Sequence, residues 1–216
     1  MNDLAGHRIF LSAGFPSGER GDQFQPYDAG DVADAVTALI RAIFSAGGGV
    51  VFGGHPTITP LVFFVANEYH AHAAVDVYQS RWFERDIPAE TKRFEGLGLG
   101  RIFWTERRQS RSESLDLMRH QMLIETKPIA AVFVGGMEGI RDEWETFGFL
   151  FPSRPRIPIG APGGAAARLV EHAANLPRNV IAHLGSRRYA VLAHEIVKSL
   201  GSGRDLTDNR PSGLRG

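Results

Sequence analysis

Glu143 is the residue whose surroundings in the sequence best suit it to chemistry. A continuous apolar run, Ile129 to Val134, has the length and β-branched content of a fully buried strand. It stops at Gly135-Gly136, and a helical pattern (Ile140, Trp144, Phe147, Leu150) begins just beyond, placing Glu143 on the first turn or so. Glycines at such a corner permit positive φ and let a ligand approach the main chain closely. The helix that follows offers unpaired N–H groups and the positive end of its dipole, which suits an anion such as phosphate. A carboxylate beside that corner has the character needed for proton transfer or for stabilising a developing cation. Standing alone, a helical glutamate is more often solvated surface, as Glu138, Asp142 and Glu145 around it are expected to be.

Other candidates gather at similar places. Gly53-Gly54 follows the short apolar run Val50-Val51-Phe52, and Gly163-Gly164 follows Ile157–Gly160. Each glycine pair either cradles a ligand or makes a tight turn, since glycine serves both. His55 sits in the second corner and is the one histidine read as a ligand contact. Thr57 is placed to cap the helix that follows. Ser12 and Gly14 end the strand Arg8–Gly14, where the hydroxyl either binds a phosphate or ribose or caps the local turn. Arg119 lies in an otherwise apolar helix face (Leu115, Met118, Met122), positioned to snorkel or to pair.

Several chemistries are excluded. The chain has no cysteine, hence no disulfide scaffold, thiolate metal site or cysteine nucleophile. Its eight histidines show no His-x-x-x-His or His-Glu-x-x-His spacing, and His70 and His72 would fall on different sides of a helix, so no metal site is expected. Gly-x-Gly-x-x-Gly after the first strand, a P-loop and a Gly-x-Ser-x-Gly elbow are all missing, and no cofactor is expected. Lys plus Arg and Asp plus Glu are both 24, which argues against general nucleic-acid binding. No apolar run reaches membrane-spanning length, and Met1–Arg8 lacks the apolar core of a secretory signal, so the reading is cytoplasmic with no membrane partner.

The elements that must position these residues alternate. Strands are expected at Arg8–Gly14, Val50–Phe52, Val75–Gln79, Arg101–Thr105, Ile129–Val134 and Ile157–Gly160. Helices are expected from Asp31 as N-cap to the glycines at 47–49, from Thr57 to about Ala71, from Ser112, beyond Gly136, after Gly164, and over about Ser186–Leu200. Phe15–Gly30 and Ser80–Gly100 read as loops, with Arg81, Trp82 and Phe83 able to fold over a ligand. This alternation predicts an α/β fold: one doubly wound, mostly parallel, Rossmann-like sheet with helices on both faces. Ligands on such sheets lie at the C-terminal ends of the strands. At 216 residues one domain over 1–200 is expected, with residues 201–216, rich in Gly, Ser, Arg and Asp, as a disordered tail.

The corners, taken together, resemble the LOG-like (lysine-decarboxylase-like) proteins and the wider SLOG superfamily of nucleotide-ligand-binding domains. LOG enzymes carry Pro-Gly-Gly-x-Gly-Thr-x-x-Glu after a buried strand. Val134-Gly135-Gly136-Met137-Glu138-Gly139-Ile140-Arg141-Asp142-Glu143 is similar once one residue is inserted after the glycine pair. Arg119 falls where the family has its arginine, Phe52-Gly53-Gly54-His55 resembles the Tyr-Gly-Gly-Gly corner, and Ser12-Ala13-Gly14 resembles the first-strand corner. The stretch with Gly163-Gly164-Ala165-Ala166 looks more like sensor-type members. The resemblance implies catalysis by Glu143 and Arg119, and ligand contacts from Ser12, Gly14, Gly53, Gly54, His55, Thr57, Gly135, Gly136, Met137, Gly139, Gly163 and Gly164. It implies two alternatives: hydrolysis of the N-glycosidic bond of a nucleoside 5′-monophosphate, or sensing of a nucleotide or NAD-derived messenger without turnover. Phe15, Trp82 or Trp104 would stack on the base, and a homo-oligomer, dimer or larger, is implied. The chain is too short for a second effector domain, so a sensor would act through self-association or another protein. Val134 for proline and Ile140 for threonine depart from the motif, and the threonine is a phosphate contact in LOG enzymes. These departures weaken the hydrolase implication more than the binding one.

Overall fold

Strands buried on both faces need a helical layer on each side, and the apolar runs of this chain meet that condition. The computed structural model describes residues 3–87, 89–173 and 176–202. The strands are β1 (Arg8–Gly14), β2 (Gly49–Gly53), β3 (Val75–Ser80), β4 (Gly100–Thr105), β5 (Ala130–Gly135) and β6 (Arg156–Ile159). They form one six-stranded sheet in the order β4-β3-β2-β1-β5-β6, and each neighbouring pair is parallel. The order runs outward from β1 through β2 and β3 to β4, then reverses to β5 on the other side. The C-terminal ends of β1 and β5 therefore flank the topological switch point, where such sheets open a crevice.

The helices are α1 (Gly18–Gly21), α2 (Ala29–Ser45), α3 (Thr59–Glu68), α4 (Ala89–Gly96), α5 (Arg111–Thr126), α6 (Glu138–Leu150), α7 (Gly164–Arg168), α8 (Arg178–Ile181) and α9 (Tyr189–Ser202). Because side chains alternate across each strand, the sheet feeds two cores. Ile9, Leu11, Val50, Phe52, Val75, Val77, Val132 and Val134 pack against α2, α3 and α9. Phe10, Val51, Tyr78, Ala131 and Phe133 pack against α5, α6 and α7. α2 shows why the sequence folds this way: Val32, Val36, Leu39, Ile40 and Ile43 form one buried stripe at helical spacing.

The observed helix ends correct several expectations. Asp28, not Asp31, caps α2, accepting the Asp31 N–H at 2.9 Å, and Asp31 instead pairs with Arg187 at 2.8 Å. Ser110, not Ser112, opens α5 in a reciprocal capping box with Glu113. Thr57 caps nothing, because α3 begins only at Thr59 after Ile58. The two expected loops each contain helix, α1 in the first and α4 in the second. The last helix starts at Tyr189, and α9 runs through Ser202, past the expected start of the tail. Residues 203–216 of that tail lie outside the described residues. Among the described residues, no helix is long and apolar enough to cross a membrane.

Candidate functional site

β1 sets the first side chain. Phe10 points into the α5/α6 core, and by alternation Ser12 faces the same side at the strand's end, almost wholly buried. The stripe Ile140, Trp144 and Phe147 presses α6 onto the sheet, with Trp144 edge-on to Phe133 at 5.0 Å. That docking turns Glu143, on the second turn of α6 rather than its first, toward β1. The Ser12 hydroxyl donates to Glu143 Oε2 at 2.5 Å. From the neighbouring α5, Met118 and Met122 enter the core, and Arg119 lies beside them, 8% exposed. Arg119 Nε stands 3.5 Å from Glu143 Oε1, an ion pair without a well-formed hydrogen bond, while its Nη1 reaches Asp116 at 3.1 Å and Asp142 at 3.3 Å.

These groups line a cavity of about 740 Å³ across the C-terminal ends of β1, β2, β3 and β5. Its wall includes Ser12, Gly14, Gly53, Gly54, His55, Arg119, Gly136, Met137, Gly139 and Glu143. Burial pushes the Glu143 carboxyl above its ordinary value, with Asp142 adding slightly, while Arg119 and the Ser12 hydroxyl pull the other way. Burial likewise pushes His55 below its ordinary value, favouring the neutral ring. The Thr57 N–H approaches His55 Nδ1 at 3.4 Å and its hydroxyl lies 2.9 Å from the same atom. An amide N–H can only donate, so Nδ1 accepts and the ring proton belongs on Nε2.

α6 begins without a side-chain cap; the Ile140 N–H turns back to the Met137 carbonyl at 3.0 Å, and the N–H groups of Glu138 and Gly139 are left to the cavity edge. Gly136 has φ of 69°, and a Cβ there would lie 2.2 Å from Ile140 Cγ1. The corner is built for glycine.

Four of the residues expected at the ligand, Gly135, Gly163, Gly164 and Thr57, are not among those that line the cavity. Gly135 turns toward Gly14 and Val32. Gly164 packs so closely that an added Cβ would sit 2.7 Å from the Gly135 carbonyl carbon, and Gly163 lies against Pro26. Hydrogen bonds from Gly136 N to Gly14 O (2.7 Å) and from Ala165 N to Gly136 O (2.9 Å) join the first and third corners into one brace. The third glycine pair thus fits the tightness of main-chain packing in this structure. Thr57 is spent on His55. Of the aromatic candidates, Phe15 lines the cavity, whereas Trp82 and Trp104 carry Arg107 and Arg81 on their rings and lie outside its lining.

Of the three residues expected to fold over a ligand, Phe83 lines the cavity, and sequence reasoning missed Gln79, Thr59, Thr91, Arg20 and Arg111, all in the wall. Gln79 was within reach, since it stands at a strand's C-terminal end like the residues that were chosen. Nothing local marks Arg20. Among the described residues, no group of three or more His, Asp or Glu side chains is arranged to hold a metal ion.

A family model described as the SLOG cluster3 family matches residues 25–197. The matched stretch carries the β2, β3 and β5 corners, Arg119 and Glu143, while β1 with Ser12 precedes it. No curated protein matches the chain.

Proposed function

The chain belongs to the SLOG cluster3 family, and on that premise we propose that its cavity binds a nucleotide-derived ligand and hydrolyses the N-glycosidic bond. Family membership supports a nucleotide-related function in general. The observation that carries the finer reading is the buried Ser12–Glu143–Arg119 cluster beside the Gly136 corner at the sheet's switch point.

In this reading the phosphate takes the N–H groups at the start of α6, helped by the dipole of that thirteen-residue helix. Arg20 and Arg111 add positive charge at the wall. The ribose lies over β1 with C1′ near Glu143. As the C1′–N bond breaks, its electron pair leaves with the base and positive charge develops on the sugar, where the carboxylate stabilises it. Water adds to C1′ and passes a proton to Glu143, whose raised pKa suits that role, and Glu143 then yields that proton through solvent to the departed base, restoring the carboxylate. Arg119 keeps enough of the carboxyl ionised for this, and Ser12 holds its orientation.

A non-catalytic sensor is the second reading, favoured by one observation. Both Glu143 oxygens are already engaged, Oε2 by Ser12 and Oε1 by Arg119, as in a residue that shapes a site rather than reacts.

The experiment is incubation with nucleoside monophosphates, NAD and cyclic ADP-ribose variants, following free base by chromatography and melting temperature on the same samples. Base release by the wild type, lost in Glu143→Gln with binding retained, supports the hydrolase. A ligand that raises the melting temperature and returns intact supports the sensor. If neither release nor stabilisation occurs with any compound, the nucleotide reading fails.

A further inference from the structure

Resting on the nucleotide-binding reading above, we propose that the β3 end of the cavity is a base-recognition subsite in which Gln79 reads a planar ring with an adjacent donor and acceptor on one edge. Gln79 is the next-to-last residue of β3, is 8% exposed and lines the cavity. Among the described residues, none makes a hydrogen bond with its carboxamide. With no protein partner among the described residues and with its polar atoms open to the cavity, the carboxamide head is available to pair with a ligand edge in place of water.

The local structure makes room for it. A Cβ on Gly54 would stand 2.4 Å from Gln79 Oε1. The glycine therefore serves the amide head: any larger residue at position 54 would displace it. The hydroxyl-bearing Thr59 and Thr91, each 3% exposed, come into the same wall from α3 and α4, and among the described residues neither side chain makes a hydrogen bond. Phe83 and Ile87, from the segment between β3 and α4, supply apolar surface for a flat ring.

Distance fits the assignment. β3 lies two strands from β1 in the sheet order, about 10 Å at ordinary strand spacing. That is the reach of a base beyond a glycosidic carbon held near Ser12 and Glu143. A carboxamide presents one acceptor and one donor side by side in a plane. Matching ligand edges are the amino group of adenine with N7 or N1, and the carboxamide of nicotinamide. An unsubstituted purine ring has ring-nitrogen acceptors and no N–H donor on either edge, and satisfies only one of the two bonds.

The test is calorimetric binding of AMP, purine riboside monophosphate, nicotinamide mononucleotide and ribose 5-phosphate, carried out in Glu143→Gln so that no ligand is consumed. AMP or nicotinamide mononucleotide is expected to bind about tenfold or more tighter than purine riboside monophosphate, and which of the two does so identifies the ring. Adding Gln79→Leu should erase that preference and leave ribose 5-phosphate unchanged. Gln79→Glu, closer in shape and expected to fold if the leucine variant does not, should weaken the preferred nucleotide by a similar factor. A preference that survives both substitutions, or equal binding of all three nucleotides, overturns the subsite while leaving the nucleotide reading intact. If ribose 5-phosphate and every nucleotide fail to bind, both readings fall.

Discussion

Arg119→Met tests whether the cation is what sustains Glu143 as a buried carboxylate. The Arg119 side chain is 9% exposed and that of Glu143 17%, while its other partners, Asp116 and Asp142, are 56% and 57% exposed. Exposed partners contribute roughly 0–1 kcal/mol each. Removing one member of a buried pair costs more, about 3–5 kcal/mol, because the remaining charge is left uncompensated. The expected loss is therefore set by Glu143, and that is a large fraction of the roughly 5–15 kcal/mol that holds a typical domain folded. Glu143 can relieve the cost by taking a proton, so the loss should shrink in mild acid. The assay is urea unfolding of wild type, Arg119→Met, Glu143→Gln and the double variant, at neutral pH and again in mild acid. The double variant should recover most of what Arg119→Met loses at neutral pH. A loss below about 1 kcal/mol, or strictly additive effects, would show that the pair at 3.5 Å is not coupled and would refute the reasoning.

Three further outcomes follow from the geometry. A carboxyl whose folded pKa is raised binds more protons folded than unfolded, so Glu143 lowers stability as pH climbs from the ordinary carboxylate range through its raised value. Glu143→Gln should therefore flatten the urea-derived stability profile over that window, and an unchanged slope would contradict it. Ser12→Ala removes the hydroxyl that favours the ionised form. It should move the Glu143 titration, followed by carboxyl NMR, further upward, and no movement would show that the hydrogen bond is not formed. Gly136→Ala forces a Cβ into Ile140 at a positive φ, with an expected loss of about 2 kcal/mol or more in urea unfolding from strain and overpacking together. A neutral effect there would mean that the corner is not shaped as described.

The order of elements was legible because most strands centre on an apolar run too short to be a helix, as Ala130–Gly135 illustrates. Cap positions were not, because Asp28 competes with Asp31 and Ser110 with Ser112. The Ser110-x-x-Glu113 spacing carried the second answer and was overlooked. α4 escaped because its charged sequence, Ala89–Gly96, has little apolar stripe. At the site, Arg119 and Glu143 were paired through the family motif, and the structure brings them together. The Ser12–Glu143 bond links strand and helix 131 residues apart, and no local pattern encodes it. The Gly163-Gly164 pair shows the limit of reading glycines. Ligand access and close main-chain packing ask for the same residue, and only the third dimension shows Gly164 against Gly135.

The most direct measurement is a crystal structure of Glu143→Gln with AMP bound. The account predicts an intact nucleotide in the cavity, with C1′ beside the side chain at position 143 and the phosphate on the N–H groups that open α6. A nucleotide bound outside this cavity, or inside it with C1′ turned away from position 143, would contradict the proposed function.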